Sequence, residues 1–225
     1  MSDIEFFYDP ACPWAWITSR FALEVASQRD LDIRWRPISL HYVNLETYLA
    51  DEQAVAEGGE AKLPPEYREM TEYTRGLLRI ASAIDERSGN DGVRDFYTAC
   101  GTLIHTEGRS LPVASKGASY DLVGEALAAA GQPAELRAEF DNSSWDEHLR
   151  SETETALGRT GKDVGTPIIT FDTSRPDEAS LFGPVISRIP RGEEALALWD
   201  AVELIARTPG IAEFKRSLRA EPDFS

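Results

Sequence analysis

The sequence predicts an α/β protein in which a strand–helix–strand unit and a closing strand–strand–helix unit flank a long helical block. Three observations carry this prediction. Aromatic and β-branched runs occur only near the two ends of the 225-residue chain. Apolar residues between those ends recur at helical spacing. Short links join the first three elements, as in a βαβ unit, which lays its strands parallel by a right-handed crossover.

The elements follow in order. Residues 3–8 read as a strand with aromatics at Phe6, Phe7 and Tyr8. Trp14, Ile17, Phe21 and Val25 then recur at helical spacing. Asp32 to Ser39 reads as a second strand through Ile33, Trp35 and Ile38. Pro64-Pro65 precedes a long helix through Met70, Thr74, Leu77, Ala81 and Ile84, ended near Ser88-Gly89. Val93, Phe96, Tyr97, Cys100, Leu103 and Ile104 trace one apolar stripe, and Tyr120, Val123, Leu127 and Ala130 another, stopped by Gly131 and Pro133. Ser144-Trp145-Asp146-Glu147 fits a capping box opening a helix to about Gly158. Strand signals return at Pro167–Phe171 and Ala179–Phe182, either side of the turn-rich Asp172–Asp177. Ala195, Leu198, Trp199, Val202 and Ile205 give the closing helix, with Glu193 and Glu194 suited to its positive first turn. The expected division is an α/β domain of residues 1–42 and 163–225, with residues 43–162 as an inserted helical domain.

Composition narrows the function classes. Apolar residues make up 42% of the chain, enough for a real core, and two cysteines, Cys12 and Cys100, leave no disulfide framework. Asp and Glu number 39 against 23 Lys and Arg, a formal charge of −16. Such a surface repels phosphate backbones and anionic membranes, which predicts neither a nucleic-acid nor a membrane partner. The acidic start, Met1–Glu5, reads as no secretory signal, and no apolar stretch approaches the ~18 residues of a membrane span, so the expected location is the cytoplasm. His41, His105 and His148 lack metal-ligand spacing, which predicts no metal site.

Cys12 carries the chemistry. It stands between the apolar strand ending at Asp9-Pro10 and the helix opening at Pro13. The first N–H groups of a helix lack partners and carry the positive end of its dipole, so a thiol placed there is expected to titrate below the free value of about 8.5. Proline is tolerated next because the first helical N–H is unpaired anyway. A C-x-x-C dithiol would have its second sulfur at position 15, where this chain has Ala15. Cys100 lies on an apolar stripe and is expected to pack inside its helix.

Strand–Cys–helix, a Thr-Pro before a later strand and a final ββα resemble the thioredoxin fold, and the helical block resembles its DsbA-like branch. Phe7-Tyr8-Asp9-Pro10-x-Cys12-Pro13-Trp14-x-Trp16-Ile17-Thr18-Ser19-Arg20 is similar to the mycothiol-dependent nitroreductase family of actinobacteria. So are Leu63-Pro64-x-Glu66-Tyr67-Arg68, Ile104-His105, Val164-Gly165-Thr166-Pro167 and the run from Phe182 to Glu194. The resemblance implies a cytosolic, homodimeric oxidoreductase with a redox-active cysteine and mycothiol as reductant or co-substrate. Its substrate would be a small electrophile or disulfide. Members with a dithiol cycle have cysteine where this chain has Ala15. Kappa-class glutathione transferases and 2-hydroxychromene-2-carboxylate isomerases also lack the pair and use a bound thiol cofactor.

The resemblance gives Cys12 two roles, attack on an electrophile or disulfide, or presentation of a bound thiolate. It also implies a cis Pro167 against the sulfur, with Thr166 offering backbone groups. Trp14 either walls a flat substrate or packs. Asn44 and Tyr67 either line a groove or serve as a turn residue and an amphipathic helix residue. His105 either polarises substrate or caps a helix end. Beside the reductase stand two alternatives, a thiol-dependent transferase or isomerase and a non-catalytic thiol- or peptide-binding module.

Overall fold

A computed structural model of the chain describes residues 2–117, 120–177 and 179–225. Contacts divide it into two compact units, residues 1–8, 12–36 and 154–225 in one and residues 9–11 and 37–153 in the other.

The first unit is built on a mixed four-stranded sheet. Its strands are β1 (Ile4–Tyr8), β2 (Ile33–Pro37), β3 (Ile168–Thr170) and β4 (Ser180–Phe182), in the order β2-β1-β3-β4. β3 runs antiparallel to both neighbours, pairing Ile169 with Phe6 on one side and Leu181 on the other. Helix α1 (Pro13–Ala26) buries Ile17, Phe21 and Val25 completely. The closing helix of the chain, Gly192–Arg207, inserts Trp199 against Phe21 and Phe171 with ring centroids 5.4 and 5.3 Å apart. Edge-to-face rings and apolar burial together make this the core of the unit. On β1, Glu5 pairs with Arg36 at 2.7 Å and with Arg159, whose guanidinium also donates to the Thr170 hydroxyl at 2.7 Å.

The second unit holds helices α2 (Leu40–Val43), α3 (Leu45–Ala56), α4 (Pro65–Ser88), α5 (Asn90–Gly101) and α6 (Leu122–Ala129), and most of α7 (Asp146–Thr160). α4 supplies Leu77, Leu78, Ile80 and Ile84, α5 Val93, Phe96, Tyr97 and Cys100, and α6 Leu122 and Leu127, all buried. Gly76 of α4 admits the Phe140 ring, which a Cβ at that position would meet at 2.5 Å. Arg79 grips Asp146 through two hydrogen bonds of 2.7 and 2.8 Å and donates a third to the Phe140 carbonyl.

Two local expectations are corrected. The stripe through Ile104 is not one helix, because α5 stops at Gly101 and a π turn occupies Thr102–Thr106. The cap near Ser144 is different, because Asn142 accepts from the Ser144 N–H, a short 3-10 turn covers Ser143–Trp145 and α7 begins at Asp146. α2 and α3 have no individual signal in the sequence, although α3 lies within the expected helical block. α3 buries only Tyr48 and Asp51 and leaves Leu49 and Val55 exposed, so it shows no clear apolar period. Polar anchors hold it instead. The Asp51 carboxylate accepts the Lys62 and Leu63 N–H groups, and the Tyr48 hydroxyl meets the Thr71 hydroxyl at 2.8 Å.

Candidate functional site

Cys12 is the N-cap of α1, in extended conformation with φ −84° and ψ 112°. Pro13 follows as the first helical residue and costs no hydrogen bond there. The Ala15 N–H donates to the Cys12 Sγ at 3.4 Å, and the thiol donates to the Thr166 carbonyl at 3.3 Å. These two contacts act in opposite senses on the sulfur. The N–H and the helix terminus favour thiolate, and the carbonyl favours thiol. Cys12 is 8% exposed, so the sulfur is held inside a polar frame rather than displayed on the surface.

The loop ahead of β3 closes this frame. Thr166–Pro167 is a cis peptide. The Thr166 hydroxyl donates to the Phe7 carbonyl at 2.8 Å, tying the loop to the end of β1, and the Gly183 N–H donates to the Pro167 carbonyl at 2.8 Å. A second cis peptide, Gly183–Pro184, lies beyond β4, and the Thr18 hydroxyl of α1 donates to the Pro184 carbonyl at 2.7 Å. The structure thus brings Cys12, Pro13, Ala15, Thr166 and Pro167 together. Ala15 is fully buried and contributes an N–H and a methyl group where a second sulfur would stand. Trp14 is half-buried, with the Arg219 guanidinium carbon 6.0 Å from its ring centroid.

Asn44, Tyr67 and His105 belong to the helical unit and have separate backbone partners there. Asn44 joins α2 to α3, and its side-chain amide donates to the Leu40 carbonyl at 2.8 Å. Tyr67 lies in the first turn of α4, its N–H bonded to the Pro64 carbonyl. His105 sits in the π turn with its Nε2 2.9 Å from the Pro10 carbonyl, so that nitrogen carries the proton. Burial lowers the His105 pKa to about 4 against the opposing pull of that bond, and the ring is neutral at physiological pH.

Asp9 was not singled out from the sequence. It is completely buried, and its carboxylate accepts the Ala11 and Leu40 N–H groups, each at 2.8 Å. Burial raises its pKa to about 6, and the hydrogen bonds pull back only part of the rise. The Asp9–Ala11 contact is an Asx turn, for which Asp-Pro after a strand is a readable signal. Cys100 is also completely buried, and burial pushes its thiol pKa well up. Among the described residues, no group of three or more His, Cys, Asp or Glu is placed to hold a metal ion. No helix is long and apolar enough to cross a membrane, again among the described residues.

The family model for Rv2466c-like proteins, described as mycothiol-dependent nitroreductase Rv2466c, matches residues 11–216. The uncharacterized protein Rv2286c of Mycobacterium tuberculosis is 29% identical over 220 residues, covering 96% of this chain and 82% of its own length. The crystal structure of a probable DsbA oxidoreductase, SCO1869 from Streptomyces coelicolor, is 19% identical with a TM-score of 0.55. It covers 99% of this chain and 97% of its own. The cytosolic disulfide reductase DsbM from Pseudomonas aeruginosa is 19% identical with a TM-score of 0.46, covering 74% of this chain and 82% of its own. The Streptomyces likeness shows the fold, a DsbA-like thioredoxin fold with a helical insertion.

Proposed function

The chain belongs to the Rv2466c-like family of mycothiol-dependent nitroreductases, and from that premise we propose that it is a monothiol oxidoreductase with Cys12 as its reacting group. The observation that carries this reading is the pairing of a framed sulfur at Cys12 with a fully buried alanine at position 15. The frame suits an incoming thiol or disulfide. The Ala15 N–H offers a donor to a sulfur, the Thr166 carbonyl offers an acceptor, and no neighbouring thiol competes at position 15.

Mycothiol, as co-substrate, supplies the second thiol of the cycle. The Cys12 thiolate attacks a disulfide sulfur, forms a mixed disulfide and expels a thiolate. A further thiol then frees Cys12. Reduction of a nitro group to nitroso takes two electrons and two protons, which two thiols supply on becoming one disulfide, with water leaving. Cys100 is a poor second thiol, since its sulfur is completely buried and its pKa is pushed up. Pro13, Thr166 and Pro167 position the sulfur in this reading. Trp14 walls the substrate, and Asn44, Tyr67 and His105 are assigned to substrate or thiol binding. A reducing, cytosolic setting and a homodimer complete the proposal.

The absence of a sulfur at position 15 also favours a second reading, a transferase or isomerase that presents a bound thiolate to its substrate. Steady-state turnover with mycothiol and a panel of nitroaromatics, epoxides and disulfides separates the two. Disulfide or nitro reduction abolished by Cys12→Ser supports the reductase. Thioether formation or isomerisation without net thiol oxidation supports the second reading. Binding of mycothiol without turnover of any panel member would leave only a binding module.

A further inference from the structure

The chain beyond the last helix returns to the first turn of α1, the helix that Cys12 caps. The helix Gly192–Arg207, α8 in chain order, is followed by residues 208–225, which carry no helix or strand. Their far end is fixed where the Asp223 N–H donates to the Ser187 carbonyl at 2.7 Å. Between these points Arg219 sets its guanidinium over Trp14, the second residue of the Cys12 helix, at 6.0 Å from the ring centroid. Arg29, Arg36, Arg159, Arg188, Arg191 and Arg207 of the same unit are each paired with a carboxylate. Arg219 is not; among the described residues its partner is the indole ring alone. In a chain of formal charge −16, this is an exposed cation left without a carboxylate, set beside a ring that stands two residues after the reactive cysteine.

We propose that Arg219 and Trp14 form an anion-selecting subsite at Cys12. The indole offers its face to the flat part of a substrate, and the guanidinium offers its planar donors to a carboxylate on it. The substrate class follows, namely flat electrophiles or disulfides that carry an anionic group. This rests on the thiol chemistry proposed for Cys12. Arg219 acts as a specificity-determining residue, and the terminal segment is part of the site rather than a trailing end.

The test uses two alkylating reagents of the same shape and different charge on the full-length protein, so it needs no turnover. Cys12 labelling rates with iodoacetate and iodoacetamide are followed by intact mass, with Cys12→Ser as the blank. Arg219→Ala lowers the iodoacetate-to-iodoacetamide rate ratio about two- to fivefold, the effect of removing one nearby charge in a largely aqueous setting. Arg219→Glu lowers it further, Arg219→Lys restores most of it, and about 0.5 M salt narrows the differences by screening. Equal slowing of both reagents would mean that Arg219 only shapes the site, and an unchanged ratio would mean that its charge is not sensed at Cys12. Either result overturns the subsite. A ratio that falls as stated in a protein that never turns over with mycothiol keeps the subsite and removes the reductase reading. With turnover in hand, Arg219→Glu raises KM for 4-nitrobenzoate relative to 4-nitrobenzamide.

Discussion

Replacing Asp9 with asparagine separates the burial cost of this carboxylate from its hydrogen bonds. Asp9 is completely buried, and its two backbone donors, Ala11 and Leu40, do not repay the loss of water around the charge. Its pKa stands at about 6 in the folded protein against an ordinary 3.8. A folded pKa above the unfolded one means a stability contribution fully present below pH 3.8 and lost as pH rises through 6. At about 1.4 kcal/mol per pH unit, ionising Asp9 costs about 3 kcal/mol at neutral pH. The asparagine variant has no charge to bury, but its side-chain amide donor faces one of the two N–H groups, a penalty of about 1–3 kcal/mol at every pH. The stability of wild type minus that of Asp9→Asn is therefore largest below pH 3.8 and falls by about 3 kcal/mol from there to pH 7. His41 and His105, both lowered to about 4 by burial, lose stability as pH falls from 6.5. They do so in both proteins and cancel in the difference. Urea unfolding followed by tryptophan fluorescence from about pH 4 to pH 7.5 reads this as a midpoint difference moving by about 1 M. A difference independent of pH would refute the reasoning.

Ala15→Cys places a second sulfur at C-x-x-C spacing, one helical turn from a sulfur already within 3.4 Å of the position-15 amide. The variant gains a dithiothreitol-reducible 12–15 disulfide and stronger disulfide-reductase activity, at a packing cost of about 1 kcal/mol in a fully buried position. Peptide mapping of folded variant that finds no 12–15 bond would contradict the placement of Cys12. Glu5→Ala removes the carboxylate that Arg36 and Arg159 share, in a cluster whose arginine side chains are 16% and 11% exposed, and costs about 3 kcal/mol in urea unfolding. A loss below about 1 kcal/mol would mean that water already neutralises this cluster.

The parts of the fold legible in the sequence are those set by neighbours in the chain. Pro13 after Cys12 announced the helix start, the apolar periods of α1, α4 and the closing helix gave their buried faces, and turn residues bounded β3 and β4. What local pattern did not carry depends on partners far along the chain. α3 rests on Asp51 and Tyr48 reaching other segments, not on an apolar stripe. Periodicity through Ile104 concealed the π turn that carries His105, because an extra residue in a turn leaves no mark in the sequence yet shifts the later positions by one, burying His105 and leaving Ile104 half-buried. The site divides in the same way. Cys12, Pro13, Ala15 and the Thr166-Pro167 pair were readable from position and motif. Asp9 needed the Leu40 amide, 31 residues on, and the role proposed for Arg219 needed the path of residues 208–225.

Intact mass spectrometry of the wild-type protein incubated with mycothiol disulfide tests most directly whether Cys12 works as a single thiol with an external partner. The expected product is one mycothiol adduct, mapped to Cys12, absent from Cys12→Ser and released by added mycothiol. Loss of two hydrogens in the monomer, marking a Cys12–Cys100 disulfide, or an adduct that survives Cys12→Ser, would contradict it.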